Sequence, residues 1–191
     1  MTNNFEERLN QILPRITSDD FLSGHGLGNE IAFFIFDYPP EEELRVRAHI
    51  GFLLGHIPKQ KPDLNVEHIN LFDFVIDHLK NRSLLDRTID LQKTKGDEFV
   101  LRHLEKILHP EKLAPLFAKQ AQLEENNLVL VSGVGSVWPL MRTHTLLNNL
   151  HPVMGQTPLV MFYPGNYDGQ SLRLFGKIKS DNYYRAFRLI P

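Results

Sequence analysis

The sequence predicts a single α/β domain with a mainly parallel sheet flanked by helices. Two observations carry that prediction. Residues 31–36, 128–131 and 159–163 are short apolar runs, aromatic or β-branched and bounded by turn residues, as in strands buried on both faces. Amphipathic stretches lie between them, and alternation of strand with helix favours parallel pairing through helical crossovers. Size agrees: 191 residues, 42% hydrophobic and 23% charged, suit one domain, which buries roughly 70% of the surface its unfolded chain exposes.

The elements follow in order. Phe5, Leu9, Ile12 and Leu13 have helical spacing within an N-terminal helical segment, 1–20, and Pro14 is the expected stop. Gly24-His25-Gly26-Leu27-Gly28 precedes the first strand as a flexible connection, and Asp37 to Pro40 closes that strand. Pro40 followed by three glutamates opens a helix, with acidic charge at its positive dipole end, that runs to Pro58. A strand over 65–70, a helix over 71–79 and a loop over 93–97 come next. Helices over 99–108 and 113–123 follow. After the strand 128–131 and a glycine turn, a helix carries Pro139 in its first turn and Leu140, Leu146, Leu147 and Leu150 on its apolar side. Pro164-Gly165 is the expected end of the strand 159–163. Residues 172–179 read as an edge strand and 184–190 as the last.

Composition excludes whole chemistries. There is no cysteine, hence no disulfide scaffold, zinc thiolate site, iron–sulfur cluster or cysteine nucleophile. That fits a reducing cytosol. No apolar run approaches the ~20 residues that span a bilayer, so a cytoplasmic protein without membrane contact is expected. A formal net charge of −2 argues against binding nucleic acid through bulk charge.

The motifs tested fall short of catalysis. Gly133-Val134-Gly135-Ser136 follows a strand and opens a helix, so Gly133, Gly135 and Ser136 form a candidate anion-binding turn. A P-loop would need a lysine to reach the phosphates, and Trp138 stands where a dinucleotide fingerprint has its third glycine. The arrangement is Rossmann-like or degenerate P-loop-like without a functional P-loop. His49 and His56, like His144 and His151, are seven residues apart on helices, and roughly 10.5 Å of rise separates each pair, too far for one metal. Pro62-Asp63 with Glu67-His68-Ile69 lacks the lysine of a nuclease motif, and no serine hydrolase elbow occurs. No catalytic residue, cofactor or metal is expected.

The C-terminal segment, 158–191, is different: five cations against two acids, with aromatics interleaved. Arg173, Lys177, Lys179, Tyr183, Tyr184, Arg185 and Arg188 form a candidate partner surface. Arginine with exposed tyrosine suits a protein interface or stacking on single-stranded nucleic acid.

Three stretches carry a family resemblance: FLSGHGLGNEIAFFIFDYPPEEELRVR (21–47), NNLVLVSGVGSVWPLMRTHTLLNNL (126–150) and PLVMFYPGNYDGQSLRLFGKIKSDNYYRAFRLI (158–190). The chain resembles the BrxB family, the small second component of BREX (bacteriophage exclusion) systems, over nearly its whole length. The resemblance implies a bacterial antiviral component encoded beside a DNA methyltransferase, a large ATPase and a PglZ-type protein of the alkaline-phosphatase superfamily. It implies a non-enzymatic adaptor, with the PglZ-type protein as partner and the ATPase and methyltransferase reached indirectly. The competing expectations are a nucleic-acid-binding subunit of the same complex and a cryptic nucleotide binder at Gly133 to Ser136.

Overall fold

Strand β1 (Phe33–Tyr38) is buried along its whole length, because parallel neighbours flank it and helices cover both of its faces. Its side chains alternate as the pleat requires: Phe33 and Ile35 enter one core, Phe34, Phe36 and Tyr38 the other. The computed structural model describes residues 3–23, 32–179 and 186–191. Five parallel strands form the sheet, in the order β2 (Val66–Asn70), β3 (Leu128–Ser132), β4 (Leu159–Tyr167), β1, β7 (Phe187–Arg188).

Chain direction decides which helices lie on which face. From β1 the chain crosses to the far edge through α3 (Glu43–Gln60), then steps back through β2, β3 and β4. Right-handed crossovers in opposite directions place their helices on opposite faces. Accordingly α3 and the N-terminal α1 (Asn3–Ile16) pack Ile12 and Leu53 on Phe36 and Phe162, with Phe21 of α2 (Asp19–Leu22) beside them. The other core collects Phe74 of α4 (Leu71–Asn81), Leu104 of α6 (Asp97–Glu105), Phe117 of α7 (Pro110–Ala121) and Leu147 of α9 (Thr143–Met154). Between α4 and α6 lies α5 (Leu85–Lys95), and the one-turn α8 (Val134–Val137) follows β3.

Prolines mislead the sequence reading in four places. Helix α1 continues past Pro14, since Ile16 beyond it is fully buried; such burial contributes roughly 1.5–3 kcal/mol. Pro58 likewise lies inside α3, where the Lys61 N–H closes on the Ile57 carbonyl at 2.8 Å. Pro139 lies outside α9, following Trp138, whose backbone is extended as a residue before proline prefers. Strand β4 runs through Pro164-Gly165 to Tyr167 and hands over there from parallel to antiparallel partners.

Other boundaries shift for simpler reasons. The expected loop 93–97 contracts to Gly96, whose φ of 79° turns the chain between α5 and α6. Helix α5 fully buries no residue and has only a narrow apolar edge to announce it. Residues 172–179 are a hairpin, β5 (Leu172–Leu174) and β6 (Ile178–Lys179). Phe175 and Gly176 both take positive φ in its turn, and the Lys177 N–H donates to the Leu174 carbonyl at 3.0 Å. The glycine-rich connection at 24–28 lies outside the described residues. No helix among them is long and apolar enough to cross a membrane.

Three histidines make stability pH-dependent. Burial holds His68, His49 and His78 below the ordinary imidazole range of about 6.5; Asp73 opposes this at His68, Glu6 and the Leu9 backbone at His49, while Arg82 reinforces it at His78. The folded chain protonates these rings less readily than the unfolded chain does, so unfolding below about pH 6.5 takes up protons. Stability is therefore full above that pH and falls as pH drops through it. Thermal melts between pH 7.5 and 5.5 are expected to show a declining midpoint. A flat profile would mean that the folded protein accommodates the charged rings.

Candidate partner-docking surface

The carboxyl ends of the parallel strands carry both features that the sequence singled out, and the structure brings them together. The glycine turn follows β3, and the hairpin grows from the extension of β4. Phe175 in the hairpin turn lies against Gly135, where a Cβ would stand 2.9 Å from the ring's Cε1 and 3.1 Å from Cγ of Pro164. Glycine is needed here because another chain segment passes so close.

The turn itself is occupied by the protein's own groups. Asn70 caps α4 by accepting from the Phe72 N–H at 2.9 Å, and its Oδ1 would lie 2.1 Å from a Cβ on Gly133. The hydroxyl of Ser136 accepts from Arg47 at 3.2 Å. Arg47 also donates to Glu43 at 2.7 Å, and Glu43 accepts from the Tyr38 hydroxyl at 2.5 Å. This chain of hydrogen bonds ties α3 and the end of β1 to the turn. Its burial and the Glu43 carboxylate push the Tyr38 phenol far up. With four residues, α8 offers a short dipole.

Sequence reasoning missed one polar pair. His68 Nε2 on β2 and Ser132 Oγ at the end of β3 are 2.8 Å apart. Ser132 is 7% exposed, so the contact satisfies a buried hydroxyl and half-buried imidazole. Adjacent parallel strands bring them together, a pairing that their positions 64 residues apart do not announce.

The predicted partner residues divide. Arg173 lies mid-hairpin on β5, exposed, with Asn166 and Lys179 as its register partners on either side. Lys177 is exposed in the turn. Arg188 on β7 is committed to structure, donating to the Tyr167 carbonyl. Tyr183, Tyr184 and Arg185 lie outside the described residues. The aromatics of this third that are described turn inward: Phe162, Tyr163 and Tyr167 are buried, while Phe175 and Phe187 are half-buried. The hairpin exposes Arg173, Lys177 and Ile178, the last 36% exposed, and Trp138, 42% exposed, lines one cleft with Ile178. No group of three histidine, aspartate or glutamate side chains placed to hold a metal occurs among the described residues.

A parallel α/β domain whose central strand, β4, runs on into a hairpin with exposed cations defines the structural class. Comparison makes it particular. The family model described as "BREX protein BrxB" matches residues 67–189, and the chain belongs to that family of BREX phage-defence components. The BREX protein BrxB of Bacillus cereus (strain H3081.97) is 43% identical over 186 residues, covering 96% of each chain. That of Escherichia coli O9:H4 (strain HS) is 44% identical over 186 residues, covering 97% of this chain and 92% of the relative. No solved structure matches.

Proposed function

We propose that this protein is a non-enzymatic adaptor of a BREX phage-defence system. It docks the PglZ-type alkaline-phosphatase-superfamily protein through its hairpin face and thereby links that protein to the ATPase and methyltransferase. The observation that carries the reading is the β5–β6 hairpin at the strand ends, which exposes the cations Arg173 and Lys177 and the apolar Ile178, with exposed Trp138 lining the same cleft as Ile178. A surface that exposes both arginine and large apolar side chains suits a protein interface. Inward packing of the described aromatics supports protein over single-stranded nucleic acid, which binds by stacking on exposed rings.

Co-expression with the PglZ-type protein, followed by size-exclusion chromatography with light scattering, tests this. A complex of defined stoichiometry is expected. Arg173→Glu with Lys177→Glu is expected to weaken it roughly tenfold or more, as rim and core charges at such interfaces do, while the monomer melts normally. Separate peaks, with DNA binding that weakens steeply with salt instead, would replace the adaptor by a nucleic-acid subunit.

A further inference from the structure

A cleft of about 270 Å³ opens between the start of α9 and the β5–β6 hairpin. Its lining is part apolar, from Trp138, Leu172, Leu174 and Ile178, and part polar, from Arg142, Thr143, His144 and Tyr163. Two of the polar side chains are more than nine-tenths buried: Thr143 is 8% and Tyr163 3% exposed. Neither hydroxyl makes a hydrogen bond among the described residues, and neither oxygen is sealed from solvent, so both are open to a ligand in the cleft. Burial without a partner also raises the Tyr163 phenol far above its ordinary value, so it stays a proton donor.

The polar lining also carries positive charge. Arg142 is exposed, makes no ion pair among the described residues, and precedes a twelve-residue helix. That helix has no side-chain cap and no acidic residue in its first turn, so its positive dipole end is uncompensated. Two hydroxyl donors, a guanidinium and a helix N-terminus converge on one cleft. Together they suit a single anion, and the apolar part of the lining suits an apolar group beside it.

We propose that this cleft binds the terminal carboxylate of a partner chain that ends in an apolar residue. The proposal rests on the docking role given to this face and names the chemistry it recognises. A chain end is favoured over an internal aspartate or glutamate by size. At about 270 Å³ the cleft lies just below the range of drug-sized ligand pockets. One terminal residue carries its carboxylate and its apolar side chain on the same carbon, so it offers both chemistries at once. An internal acid would need a second residue to fill the apolar half. The carboxylate would accept from Arg142, Thr143 and Tyr163 while the side chain lies against Trp138.

Trp138 is the only tryptophan of the chain, so its fluorescence reports on the cleft directly. The probes are N-acetylated hexapeptides ending in Leu, Val or Phe, each as free acid and as C-terminal amide, with an amidated peptide carrying an internal Glu. The free acids are expected to shift Trp138 emission saturably and the amides to bind roughly tenfold more weakly or less, since charge-assisted hydrogen bonds are lost. Arg142→Gln, at an exposed position, and the near-isosteric Thr143→Val are each expected to weaken the free acid and leave the amide unchanged. Equal binding of acid and amide, or silence at millimolar peptide, would overturn the carboxylate pocket. Preference for the internal-Glu peptide would overturn the chain end. If the peptides fail while the complex with the PglZ-type protein still forms, the pocket falls and the adaptor stands; loss of the complex alone removes the adaptor.

Discussion

Replacing Asp37 with alanine is expected to destabilise the protein by about 3 kcal/mol or more, the cost of stranding a buried charge. The carboxylate is a node that joins three elements. Its Oδ1 accepts from Arg8 of α1 at 2.7 Å, and its Oδ2 accepts from the backbone N–H of Tyr167 at the end of β4 at 3.0 Å. Tyr167 is buried and the Arg8 side chain 18% exposed, and without the carboxylate Arg8 keeps a long 3.4 Å bond to the Ile190 carbonyl. Arg8 also lies over the Phe36 ring, 4.9 Å from its centroid, and cannot swing out without losing that packing. For a domain of this size the loss corresponds to a melting midpoint lowered by roughly 6–12 °C. Asp37→Asn keeps an acceptor for the Tyr167 N–H and is expected to cost less. A double-mutant cycle with Arg8→Met separates the two bonds. An Asp37→Ala midpoint within about 2 °C of the parent, less than ~1 kcal/mol, would show that the node is not load-sharing.

Asp37 shows what a linear sequence conveys and what it withholds. Its place at the end of a buried strand is legible, because the six-residue apolar run before it and Pro39-Pro40 after it bracket the strand. Its partners are not: Arg8 and Tyr167 lie 29 and 130 residues away. The same division holds across the fold. Strands buried on both faces announce themselves by unbroken apolar character, as in β3, and amphipathic helices such as α4 by spacing. Helix α5 carries no fully buried residue and only a narrow apolar edge, Leu85 and Leu91, half-buried against the core.

The docking face divides in the same way. Arg173 and Lys177 are visible as a local excess of positive charge. Arg142 and Thr143 are not, since nothing in their own neighbourhood marks them; their significance comes from a hairpin thirty residues later folding across them. Trp138 is read from the sequence as the residue that spoils a glycine fingerprint. In the fold it is the exposed ring beside the cleft.

The Pro-Gly pair at 164–165 yields the second large effect. As sequence it looks like a strand end, yet β4 continues through it, and Gly165 is where β5 crosses closest. A Cβ on Gly165 would stand 2.0 Å from the Arg173 carbonyl oxygen and 3.0 Å from both the Arg173 carbonyl carbon and the Phe175 nitrogen. These are backbone atoms, which cannot rotate aside as a flexible side chain would. Gly165→Ala is therefore expected to push β5 off β4, breaking the 2.8 Å bond from the Phe175 N–H to the Pro164 carbonyl. Phe175 then leaves Gly135, Leu172 and Ile178 leave the cleft, and Arg173 and Lys177 lose their fixed positions. The five parallel strands pair among themselves, so damage centres on the hairpin and on the part of the core that Leu172 and Leu174 fill. A stability loss of about 1–3 kcal/mol is expected, with red-shifted Trp138 emission and loss of both peptide binding and complex formation. Gly169→Ala is the control: its φ of 94° carries backbone strain, but no atom lies within 4 Å of its Cβ, so the hairpin stays seated. Normal complex formation by folded Gly165→Ala, with its emission shifted, would place the docking surface elsewhere on the molecule.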